Sequence, residues 1–160
     1  MNGLLGNLLE TMKQQRISEV KLSYKTKIPK TEKVQIKNSA DSYKLFINHW
    51  DNGEIEHKES LKVLLLNQTN TVLGIYNASE GGITDVSYDV RVILQAALLS
   101  NATSFVLAHN HPSGNPTPSA HDKSFTEIIK KAGMYLSILL RDHIIVCKGK
   151  YFSFAEKGIL

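Results

Sequence analysis

Only one cysteine, Cys147, stands among 160 residues. That excludes an internal disulfide framework and any cysteine-rich zinc knuckle. Its apolar neighbours Ile144, Ile145 and Val146 read as a strand, and no electropositive setting marks the thiol as reactive, so it is expected to be simply packed. No apolar run reaches the roughly 18–20 residues that span a bilayer. The opening residues, Met1 to Met12, have two leucine pairs but neither a basic leader nor a long apolar stretch. They make a poor signal peptide, and the expectation is a cytoplasmic protein with no membrane attachment. A dense basic run is missing too: the net charge is +4 and the pI near 9.1, but the lysines are scattered. Such a balance is compatible with an acidic partner without describing a nucleic-acid clamp. There is no internal repeat and no low-complexity segment.

What remains is an ordinary composition, 42% hydrophobic and 21% charged. It suits one domain that can bury its own core, with or without a short appended arm. Residues 3–16 carry Leu4, Leu5, Leu8, Leu9 and Met12 on one helical face, and Ile17 to Tyr24 alternate loosely as a strand until Pro29 interrupts. With a short strand at Val34 and Ile36, these elements form an arm over residues 1–38. The main domain is expected over residues 39–160. It opens with a helix through Tyr43, Leu45, Phe46 and Trp50, capped by Ser39 or Asp41 and ended by the turn at Asp51-Asn52-Gly53. Leu61–Leu66 and Val72–Tyr76, joined by a polar turn, read as a hairpin.

Gly81-Gly82 marks a loop, after which Asp89 caps a periodic helix containing Val92, Ile93, Ala96, Ala97 and Leu99. Phe105 to Ala108 is too short an apolar run for a helix and reads as a buried strand that leads into His109. A proline-bearing loop follows. Ser119 opens a helix to about Gly133. Leu136–Leu140 and His143–Val146 are strands or one long bent strand, and Tyr151–Phe154 returns as the last. Ser153 and Glu156 fit a capping box for a brief terminal helix. The order β-β-α-β-α-β-β predicts an α/β (α+β) fold, a mixed β-sheet flanked by helices.

The chemistry concentrates in His109-Asn110-His111 and, seven residues on, Ser119-Ala120-His121-Asp122. Residues i and i+2 of an extended chain point the same way, so His109 and His111 can face one point at a strand end. A loop stiffened by proline can return the first turn of the next helix, with Asp122, onto them. Two neutral imidazoles and one carboxylate suit zinc, and three protein ligands leave a fourth position open for water, as catalytic sites do. A lone H-x-H is a weak metal signal, and Ser119 and Asp122 read equally well as capping residues near the helix's positive end. The two readings are compatible, because a capping turn fixes the carboxylate.

The pattern H-x-H-x7-S-x-x-D resembles the JAMM/MPN metallopeptidase signature without a substitution. The run His109 to Pro116, together with Asp142-His143-Ile144-Ile145-Val146 and Ser153-Phe154-Ala155-Glu156-Lys157-Gly158, is similar to the RadC-like branch. The likeness covers roughly Ser39 to Leu160. It implies the JAMM/MPN (cytidine-deaminase-like) architecture, one zinc per chain on His109, His111 and Asp122, and hydrolysis of a peptide or isopeptide bond in a peptide or protein substrate. It implies an upstream glutamate as general acid/base just before the first core strand: Glu59 matches that place, with Glu56 and Glu54 as competitors. By the same resemblance Ser119 would donate to the oxyanion of the tetrahedral intermediate.

The remaining histidines carry less. His121 should point away from the metal, and His49 and His57 are expected at the surface. His143 reads either as a buried structural histidine or as a partner of a ligand imidazole, and Asp142 either orients a ligand or is a strand-end acid. A zinc deaminase would need H-x-E and P-C-x-x-C, which are lacking. The letters His-Asn-His do not make an HNH nuclease, whose residues are dispersed through a ββα unit. RadC-like proteins carry a DNA-repair label, so a DNA-repair-associated accessory role without peptidase turnover is the alternative. Longer members have a helix-hairpin-helix region, but residues 1–38 lack its glycine-containing hairpins, which leaves DNA the weaker partner.

Overall fold

In the computed structural model, residues 29, 32–80 and 89–160 are described. The expected helix over residues 3–16, the strand from Ile17 and the loop at Gly81-Gly82 lie outside them. The described elements are α1 (Ser39–Asn48), β1 (Ser60–Leu66), β2 (Val72–Glu80), α2 (Val90–Leu99), β3 (Ser104–Asn110), α3 (Ala120–Tyr135), β4 (Leu139–Cys147) and β5 (Lys150–Ser153). The strands form one five-stranded sheet in the order β2-β1-β3-β4-β5. Only β3 and β4 run parallel; the other pairs are antiparallel. The parallel pair needs a crossover, and α3 supplies it. This is the α+β fold with a mixed sheet that the order of elements predicts.

Alternation along the central strands sorts the core into two layers. Leu61, Val63, Leu65, Phe105 and Leu107 face α2 and α3, packing with Ile93, Leu94, Ala97, Phe125 and Ile129. Leu64, Leu66, Val106, Ala108, Ile144 and Val146 face the opposite side, with Phe46 of α1, Trp50 and Ile55. Every residue of β1 and β3 is buried. Helices cover both faces, so these strands are mostly apolar, with Lys62 in β1 an exception whose ammonium donates to Asn77 Oδ1. The buried positions of α3, namely Asp122, Phe125, Thr126, Ile129 and Gly133, recur at helical spacing. The period that buries Phe125 and Ile129 also turns Asp122 toward the sheet.

Several local expectations change. The cap of α1 is Asn38, whose side chain accepts from the Asp41 N–H, and not Ser39 or Asp41. Asp41 instead takes the Lys37 N–H. Trp50 lies just beyond α1, buried against Phe46. The strand at Val34 and Ile36 reduces to a single bridge, Gln35 to Thr71. Helix α3 runs to Tyr135, residues 136–138 turn, and the two candidate strands are one, Leu139–Cys147, with an irregularity opposite Phe105/Val106. The segment after Ser153 is a turn without a helix. There the Ser153 hydroxyl accepts the Glu156 N–H, but the Glu156 carboxylate accepts from the Tyr151 hydroxyl at 3.1 Å, so the box is only half formed.

Candidate metal centre

The end of β3 is the floor of the site. His109 is in the sheet, and His111 lies just past the strand, its N–H donating to the Val146 carbonyl at 3.2 Å. The turn at Gly114 (φ 72°) brings the Asn115 carbonyl back to His111 Nδ1, at 2.7 Å. A carbonyl oxygen only accepts, so Nδ1 carries the proton, and in the neutral ring Nε2 is a bare lone pair. Across the loop, Ser119 and Asp122 form a full capping box at the start of α3. The Ser119 N–H and hydroxyl both donate to Asp122 Oδ2 at 2.7 Å, and the Asp122 N–H returns to Ser119 Oγ at 3.1 Å.

These elements bring together the three expected ligands. His109 Nε2 and His111 Nε2 are 3.0 Å apart. Asp122 Oδ1 is 3.2 Å from His109 Nε2, and Oδ2 is 3.6 Å from His111 Nε2. A tetrahedral zinc with ligands 2.0–2.1 Å away has donor-to-donor edges of about 3.3 Å, so the spacing suits that ion. His109 is fully buried and Asp122 is 4% exposed. Electron pairs converge here from three sides, which is tolerable only around positive charge. In the metal-free state a proton on His111 can supply that charge. The hydrogen bond to Asp122 raises His111 above the ordinary imidazole value against the effect of burial, helped by the Asn115 carbonyl and by the charges of Asp122 and Glu59. Burial pushes the Asp122 carboxyl up, but in the metal-free state the neighbouring imidazoles of His109 and His111 and the Ser119 donors outweigh it. They hold the group far below the usual carboxylate range. Together His109, His111 and Asp122 form a group able to hold a metal ion.

Glu59 immediately precedes β1 and is half-buried, its charge felt by His111. Glu56 is exposed and paired with Lys148 at 3.2 Å, and Glu54 with Lys58 at 3.0 Å. His49, His57 and His121 are exposed, as expected. Asp142 does not meet His109, His111 or Asp122. Its carboxylate accepts from the His143 and Ala155 N–H groups and the Ser153 hydroxyl, joining β4 to the turn after β5. Burial nonetheless leaves its carboxyl above the usual range.

Residues 36–159 match the RadC-like JAB domain. The chain belongs to that family. Among relatives of the RadC-like domain, a UPF0758 protein of Flavobacterium johnsoniae is 43% identical over 107 residues, 67% of this chain and 46% of its own length. One from Porphyromonas gingivalis is 43% identical over 104 residues, 64% of this chain and 46% of its own length. One from Aquifex aeolicus is 36% identical over 128 residues, 80% of this chain and 54% of its own length. The chain thus spans about half the length of the curated relatives it matches. Among the described residues of the RadC-like domain, no helix is long and apolar enough to cross a membrane.

Two contributors escaped sequence reasoning. Asn110, between His109 and His111, is wholly buried on the opposite face of β3. Its Oδ1 accepts the Ser60 N–H at 2.8 Å, and its Nδ2 donates to the Ile55 and Lys58 carbonyls, both at 2.8 Å. One side chain therefore pins the segment that carries Glu59 to the strand that carries His109. The other is Thr126, one turn after Asp122 on the same buried face. Helical spacing from Asp122 was the available signal for Thr126. Asn110 had none, because its partners are about fifty residues away in sequence.

Proposed function

We propose that this RadC-like domain is a zinc-dependent hydrolase of the JAMM type that cleaves peptide or isopeptide bonds. The observation that carries the reading is the convergence of His109 Nε2, His111 Nε2 and the Asp122 carboxylate at zinc-like spacing beside the charge of Glu59. Bound there, zinc supplies a Lewis acid for a carbonyl oxygen and lowers the pKa of water to about 7.

The protein side of the reaction then follows from its own groups. Glu59 takes the proton of the attacking water and passes it to the leaving amine. Pairing with Lys148 draws Glu56 away from that task. The Ser119 hydroxyl has a single proton, and it points at Asp122 Oδ2. In this state Ser119 orients a ligand. Donating to an oxyanion requires the hydroxyl to rotate off the carboxylate, which keeps the Ser119 N–H as a partner.

Metal analysis of purified protein should give about one zinc per chain, abolished in His109→Ala. On a panel of peptide and isopeptide substrates, Glu59→Gln should retain zinc and lose turnover. Absence of zinc from the wild type sinks the proposal, as does a Glu59→Gln variant as active as the parent.

A further inference from the structure

We propose that Thr126 and His143 are positioning residues, a buried hydrogen-bond relay that locks His109 in the tautomer presenting a free Nε2 lone pair to the metal centre. The idea rests on reading His109, His111 and Asp122 as that centre. The main-chain carbonyl of Asp122 can only accept, and Thr126 Oγ1 lies 2.6 Å from it. Thr126 therefore spends its single hydroxyl proton there, and its oxygen can only accept from the next group.

That group is His143 Nδ1, at 2.6 Å. Nδ1 must bear the proton. The His143 ring is wholly buried, stacked on Phe154 at 4.8 Å with Phe125 edge-on at 6.4 Å. Such an apolar slot favours a neutral imidazole. Its Nε2 is then an acceptor, and the atom 2.8 Å away is His109 Nδ1. His109 must donate from Nδ1, which leaves its Nε2 bare on the side facing His111 and Asp122. Run in the opposite direction, the chain leaves Thr126 Oγ1 and the Asp122 carbonyl oxygen 2.6 Å apart with no proton between them, and places a proton on His109 Nε2, where a cation would have to displace it. The relay also closes on itself, since it begins at the main chain of one ligand and ends on the ring of another. Outer partners of this kind fix ring orientation and ligand basicity.

Imidazole 15N NMR reads the protonation pattern directly. His143 should be protonated at Nδ1 and bare at Nε2 in both metal-free and zinc-loaded protein, and Thr126→Val, but not Thr126→Ser, should release it from that state. Zinc competition should show dissociation constants about 10–100-fold weaker for His143→Leu and about tenfold weaker for Thr126→Val, with Thr126→Ser close to wild type. Should His143→Leu fail to fold by circular dichroism, the Thr126 pair decides. His143 protonated at Nε2, or equal zinc affinity in the Val and Ser variants, overturns the relay. A wild type that binds no zinc defeats the hydrolase reading instead, and the His143 tautomer still judges the relay.

Discussion

Replacing Asn110 by Asp alters one atom's chemistry at a fully buried position. Asn110 donates from Nδ2 to the Ile55 and Lys58 carbonyls while Oδ1 accepts from the Ser60 N–H and, at 3.2 Å, its hydroxyl. In Asn110→Asp an oxygen would replace Nδ2, facing two carbonyl oxygens. An ionised carboxylate is repelled there, so the folded protein holds the group protonated. Keeping a carboxyl of ordinary value near 3.9 neutral at pH 7 costs about 4 kcal/mol. A lone hydroxyl proton satisfies one of the two carbonyls, and the orphan adds about 1–3 kcal/mol. The total rivals the low end of a domain's stability, about 5 kcal/mol.

The sign of the pH dependence is distinctive. The variant's carboxyl is raised in the folded state, so the penalty is absent below its unfolded value and grows as pH rises above it. Between about pH 5 and pH 7 the deficit relative to wild type should widen by about 2.7 kcal/mol. Urea unfolding followed by fluorescence of the single Trp50, which is buried, measures this. Asn110→Ala loses stability without that pH dependence and serves as the comparison. A deficit below about 1 kcal/mol at pH 7, or one that does not shrink toward pH 5, would falsify the pinning of residues 55–60 by Asn110.

Removing the cap in Ser119→Ala should cost about 1 kcal/mol in thermal unfolding and also weaken zinc in a competition titration, with Ser119→Thr retaining both. Zinc affinity should fall about tenfold per pH unit as pH drops below the raised value of His111, because the metal must displace its proton; isothermal titration across pH checks this. In metal-free protein the same raised value makes His111 stabilising below about pH 6.5, a contribution lost as pH climbs through the folded value, and His111→Asn should flatten that slope. At Gly133 an added Cβ would collide with the Ile138 carbonyl oxygen, so Gly133→Ala should destabilise by about 1–3 kcal/mol in calorimetry while leaving zinc content unchanged.

The cluster of His109, His111 and Asp122 was legible before any fold was known because its geometry is local. His109 and His111 are two apart at a strand end, and Ser119 and Asp122 share one helical turn, so short-range stereochemistry orients both pairs. The element order was legible for the same reason: buried strands are mostly apolar runs and α3 repeats its apolar face. Local competition explains the misread ends. Asn38, Ser39 and Asp41 all have capping side chains, and only the folded backbone chooses among them. At Ser153 the Glu156 carboxylate, which would complete the box, is taken by the Tyr151 hydroxyl instead.

Tertiary structure alone decided which distant groups serve the site. Parallel pairing of β3 with β4 sets His143 beside Leu107, within reach of His109 and α3. Antiparallel pairing of β1 with β3 brings Ser60 and the segment before it to Asn110. Hydrogen-bond partners that far apart along the chain leave no periodic trace in a sequence. They meet because burying both faces of β3 leaves the strands only one register in which the apolar rows and the polar donors are satisfied together.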